Sequence, residues 1–153
     1  MVLALVLKHC RNARSMGVIR GGLDMKACKG RRVLVVDDDE FNRDVLSAIL
    51  SMAGAEVVAA PDGSTALASL AADRSFDAVL MDVHMPGMDG FETTRRIRAN
   101  SEWADLPVLA VTANVMSGVR EKCFEAGMDD FLTKPVDSTA LFETLSRWIA
   151  RPA

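Results

Sequence analysis

The chain has 153 residues, half of them hydrophobic and a quarter charged, which suits one globular domain with a real core. Net charge is −3, but residues 1–32 carry eight Lys/Arg against Asp24 alone, while residues 33–153 carry ten against twenty Asp/Glu. The globular part is therefore acidic, which argues against a nucleic-acid partner.

Residues 1–30 are basic, with scattered glycines and no clean period, and read as a loosely ordered arm with a short helix near residues 2–14. The opening MVLALVL is too short for a membrane span, and no basic segment precedes it as a secretory signal requires. Cys10, Cys28 and Cys123 are few and far apart, so neither a disulfide framework nor a zinc site is expected. A reducing compartment, the cytoplasm, fits best, without membrane insertion.

From residue 31 to 151 the chain alternates as one domain. Apolar runs at 33–37, 56–60, 78–82, 107–112 and 130–133 predict strands buried on both faces, as parallel strands are. Helix-length segments lie between and after them, at about 40–53, 63–73, 90–99, 115–126 and 138–150. Gly54 and Gly127 stand where a left-handed C-terminal residue is wanted, and Asp137 or Ser138 can cap the last helix. Arg95, Arg96 and Arg98 on the third helix read as a solvated face. Five strands alternating with five helices make an α/β, doubly wound, five-stranded parallel sheet. Ligands of such folds sit beyond the carboxyl ends of the strands.

Chemistry-bearing residues collect at that edge. The first strand runs into Asp37, Asp38 and Asp39, the third ends in Asp82, the fourth in Thr112, and the fifth runs into Lys134-Pro135. Two carboxylates about 5 Å apart repel by roughly 3 kcal/mol at an effective dielectric of 20. Protons or a divalent cation must relieve that, and a few hard oxygens suit Mg²⁺, with Mn²⁺ as the alternative. Asp82 could then act as a carboxylate nucleophile toward phosphorus, with Lys134 and Thr112 on the equatorial oxygens. One of the first three acids, Asp39, is expected only to cap a helix. Pro86-Gly87 sets a turn, and Gly90 starts the third helix with an unobstructed backbone. A calcium loop starting at Asp37 fails, because its fifth, sixth and twelfth positions are Phe41, Asn42 and Ala48. A flavin phosphate would be repelled by the acids after the first strand.

VLVVDDDEFNR, AVLMDVHMPGMDG, VLAVTA and DDFLTKP, in this order and spacing, resemble a response-regulator receiver domain of two-component signalling. The likeness covers about residues 31–151 and is nearest to receivers of hybrid sensor kinases. It implies a flavodoxin-like (βα)5 fold with strand order 2-1-3-4-5. It implies Asp82 as phosphoacceptor, Asp37 and Asp38 as the Mg²⁺-holding pair with the backbone carbonyl of Val83 as a further ligand, and Lys134 before a cis Pro135. Thr112 and Phe131 match the switch pair, although Phe131 lacks the hydroxyl a tyrosine would offer. His84 and Asn114 match the variable positions that tune phosphoryl lifetime.

The implied function is a phosphorelay receiver that takes a phosphoryl group from a sensor histidine kinase or histidine phosphotransfer protein. It would act by self-catalysed transfer and autodephosphorylation and present its α4-β5-α5 face to a downstream protein. The chain reads as a stand-alone receiver or as part of a hybrid kinase. Two alternatives stay open at this point. A haloacid-dehalogenase-like phosphatase would use Asp37 as nucleophile and Asp39 as acid, although Phe41 departs from that family's pattern. A docking module would use the fold without phosphorylation.

Overall fold

Each expected apolar run forms a strand in the computed structural model, which describes residues 23–113, 116 and 118–149. The strands are β1 (Arg32–Val36), β2 (Glu56–Ala60), β3 (Ala78–Asp82), β4 (Val108–Thr112) and β5 (Asp130–Thr133). All pairings are parallel, in the order β2-β1-β3-β4-β5. The helices of the repeat are α1 (Glu40–Met52), α2 (Gly63–Ala72), α3 (Gly90–Ala99), α4 (Val119–Ala126) and α5 (Ser138–Ile149). This is the flavodoxin-like (βα)5 architecture that the sequence implied.

Aspartates fix where helices begin. Asp39, Asp62, Asp89 and Asp137 each accept from a backbone N–H in the first turn of α1, α2, α3 and α5, satisfying donors that the helix itself cannot. Glu121 accepts from Gly118 N–H at the start of α4. Gly54 and Gly127 end α1 and α4 at φ +87° and +104°, a conformation that glycine adopts without steric cost.

Two apolar layers sandwich the sheet. Val33, Val35, Leu80, Leu109 and Val111 face α1 and α5, while Leu34, Val36, Val79, Met81 and Ala110 face α2, α3 and α4. The expectation of strands buried on both faces holds for β1, β3 and β4. It does not hold for β2 and β5, where Glu56, Ala59 and Thr133 are exposed and only Ala60 and Leu132 are buried, because the strand order leaves them at the sheet edges.

Two corrections come from the ends of elements. A leading helix, Leu23–Cys28, lies inside the stretch read as an arm; it packs against α5 and puts Cys28 fully into the core. Arg98 does not share the solvated face of Arg95 and Arg96, which pair with Glu92. It reaches the carbonyls of Gly127, Trp103, Ala104 and Leu106 and the carboxylate of Asp129, tying α3 to the starts of β4 and β5. Beside it, at the N-terminal edge of the sheet, Arg31, Phe76, Trp103 and Trp148 line a groove. The helix expected near residues 2–14, with His9 and Cys10, lies outside the described residues.

Candidate phosphoryl-transfer site

Parallel register brings the site together. Val36 of β1 lies beside Met81 of β3, so the next residues, Asp37 and Asp82, emerge side by side. Thr112 of β4 lies beside Thr133 of β5, and Lys134 N–H donates to the Thr112 carbonyl at 2.9 Å. Four strand ends thus deliver their polar residues to one edge, where only 1% of Asp37, 4% of Asp82 and 1% of Thr112 is exposed.

Asp37 is held on every side. Its N–H donates to the Ala60 carbonyl at 3.2 Å, Oδ1 accepts from Asp39 N–H at 2.9 Å, and Oδ2 accepts from Lys134 Nζ at 2.8 Å. Lys134 also stands 3.2 Å from Asp82 Oδ1, which faces the His84 amide at 3.4 Å. Oxygens of Asp37, Asp38 and Asp82 lie within 4.8 Å of one another, with Asp38 the exposed member.

The electrostatics follow from that crowding. Burial and then the charge of Asp37 push the Asp82 carboxyl up to about 7, against the opposing pull of Lys134. Burial works against the charge on Lys134. Its hydrogen bond to Asp37 and the charges of Asp82 and Asp37 outweigh that, and its pKa lies above the ordinary lysine value.

The donor set fits a small hard cation: Mg²⁺ takes oxygen ligands at about 2.1 Å, and three carboxylates here present oxygens within 4.8 Å of one another. The Val83 carbonyl, expected to join them, accepts from Gly90 N–H at 2.9 Å at the start of α3, which leaves its second lone pair open. A Cβ on Gly90 would stand 2.2 Å from the Asp82 carbonyl, which is why that position needs glycine.

The other expected residues are placed as follows. The Lys134–Pro135 bond is cis. Asp39 caps α1, as expected of it. His84 is exposed beside Asp82, and Asn114 lies outside the described residues. Phe131 lies beside Ala110 in the β4–β5 register, half-buried against the layer under α4, with the Arg120 guanidinium 5.2 Å over its ring.

Residues 33–146 match the model of the response regulator receiver domain. The chain belongs to that family. It is 38% identical over 144 residues to Histidine kinase 3 of Arabidopsis thaliana, covering 81% of this chain and 14% of that one. It is 41% identical over 120 residues to Sensor protein GacS of Pseudomonas syringae pv. syringae, covering 76% of this chain and 13% of that one. The receiver thus spans about one seventh of these curated relatives. Among solved structures it is similar to the receiver domain of sensor histidine kinase PA1611 from Pseudomonas aeruginosa PAO1, which has magnesium coordinated in its active-site cleft. The identity there is 40% and the TM-score 0.75, covering 80% of this chain and 99% of that one.

The sequence reading missed one residue of the receiver's site. Arg43 Nη1 donates to the main-chain carbonyl of Asp37 at 2.8 Å. The signal was available: a cation in the first turn of a helix opposes the helix dipole, so its presence at that place asks for a local acceptor.

Proposed function

We propose that this receiver accepts a phosphoryl group on Asp82 from a phosphohistidine of a sensor histidine kinase or a histidine phosphotransfer protein. The observation that carries the reading is the placement of Asp82, buried at a strand end, 3.2 Å from Lys134 and grouped with the oxygens of Asp37 and Asp38.

The Asp82 carboxylate attacks phosphorus; an O–P bond forms, the P–N bond breaks and the imidazole leaves. Asp37 and Asp38 would hold Mg²⁺, or Mn²⁺ in its place, which when bound neutralises the carboxylates and the developing phosphoryl charge. Lys134 and the Thr112 hydroxyl contact equatorial phosphoryl oxygens. Water attack on the acyl phosphate resets the domain, and exposed His84 beside Asp82 shapes access for that water.

Thr112 and Phe131 couple the acyl phosphate to the face formed by α4, β5 and α5. There Phe124 and Met116 are exposed, and Arg120 lies over both the Phe124 and Phe131 rings. The switch is a population shift between two packings, which requires phosphoryl contacts that differ between them. A downstream protein reads that face.

A phosphatase reading with Asp37 as nucleophile predicts label on Asp37 in place of Asp82. Incubation with acetyl phosphate and Mg²⁺ tests the proposal. Label on the wild type that vanishes in Asp82→Asn supports it. Label that persists in Asp82→Asn and vanishes in Asp37→Asn would establish the phosphatase, and no label at all would leave a docking module.

A further inference from the structure

We propose that Arg43 is a positioning residue for the cation-holding pair, acting through the peptide unit that joins Asp37 to Asp38. The inference rests on the proposed role of those two carboxylates.

The carbonyl that Arg43 holds belongs to the peptide bond linking the two acids. Its orientation fixes ψ of Asp37 and φ of Asp38, and with them the angle between the two side chains. The other fastenings of Asp37 act elsewhere: Ala60 on its N–H, Asp39 and Lys134 on its carboxylate. Asp38 itself is exposed, and its carboxylate meets that of Asp82.

Arg43 is suited to this. It lies half-buried in the first turn of α1, and among the described residues no carboxylate forms an ion pair with it. A guanidinium there lies beside an acidic site without neutralising it through direct contact. Held to a carbonyl, it transmits the direction of α1 to the loop. Its charge alone would oppose a divalent cation nearby, so a positioning role and a purely electrostatic one predict opposite signs.

The experiment is calorimetric titration of the full chain with MgCl₂, without any phosphoryl donor. Arg43→Met keeps the aliphatic stem and loses every donor; Arg43→Gln loses the reach and the charge; Arg43→Lys keeps a charged donor on a long stem. Positioning predicts Mg²⁺ binding about fivefold weaker in both Arg43→Met and Arg43→Gln, and within about twofold of wild type in Arg43→Lys. Should Arg43→Met not fold, Arg43→Gln decides alone. Unchanged or tighter binding in the Met or Gln variant overturns the inference. A wild-type chain that binds no Mg²⁺ overturns it together with the site reading. Normal Mg²⁺ binding without label on Asp82 overturns only the proposed phosphotransfer.

Discussion

Lys134 Nζ lies 2.8 Å from Asp37 Oδ2, closer than its 3.2 Å to Asp82 Oδ1. In this arrangement the ammonium partners Asp37, at the end of β1, more closely than Asp82, at the end of β3. It neutralises part of the repulsion that would otherwise oppose closing β1 against β3.

Replacing Lys134 with Met should therefore leave two buried carboxylates facing each other. Breaking such an arrangement by removing one partner costs about 3–5 kcal/mol. Urea unfolding in chelator should show a loss of that order in Lys134→Met, and added Mg²⁺ should restore much of it. Equal stability of variant and wild type in chelator would contradict this account of Lys134.

The raised pKa of Asp82 gives stability a pH dependence with a definite sign. Its folded value, about 7, lies above the ordinary 3.8, so the folded state holds this proton more tightly than the unfolded one. The stabilising contribution is full below pH 3.8 and is lost as pH rises toward 7. A shift of about three units corresponds to at most about 4 kcal/mol. In chelator, Asp82→Asn should remove the part of the decline that falls between pH 4 and 7, and Mg²⁺ affinity of the wild type should rise over the same interval. Parallel pH curves for the two proteins would refute the assignment.

Gly90→Ala places a methyl group 2.2 Å from the Asp82 carbonyl oxygen, where only backbone can yield. Overpacking of this kind costs about 1–3 kcal/mol. The variant should melt earlier and, on the proposed function, take up acetyl phosphate more slowly, because the displaced atoms belong to Asp82 itself. The same change at Gly87, whose added Cβ meets nothing within 4 Å, would cost only the strain of its φ of +74°.

Asp38 and Asp39 separate by role although they are adjacent and both exposed. Asp39→Ala should lose about 1 kcal/mol of stability through the α1 cap and leave Mg²⁺ affinity within about twofold. Asp38→Ala should do the reverse, weakening Mg²⁺ binding with little change in chelated stability. Calorimetry and chemical unfolding on the two variants check the pair.

Much of this was legible in the chain, and the reasons are particular. Runs such as VLVV and AVLM have one use in a fold of alternating elements, and the register that follows places Asp37 beside Asp82. Asp39 was recognisable as a cap because it stands one residue before a helix. Arg98 was not legible, since three arginines in four residues look like a wetted helix face. Only the tertiary approach of Gly127, Leu106 and Asp129 distinguishes the third. Cys28 was obscured by the basic composition around it.

That half-buried arginine yields a prediction of its own. Arg98→Ala strands four carbonyls and Asp129 at the edge of the sheet remote from the acids. The expected loss is roughly 2–4 kcal/mol, and Arg98→Lys should recover little of it because one ammonium cannot span that fork. Mg²⁺ affinity should be untouched in both variants; a tenfold loss there would show that the two edges are coupled.

Arg31, at the approach to β1, and Trp148, near the end of α5, line the same groove, on the side of the sheet away from Asp37 and Asp82. The described segments that lead into β1 and end α5 therefore meet at the floor of the sheet, while the acids open through its roof. A molecule that comes to the acids from above therefore meets neither Arg31 nor Trp148.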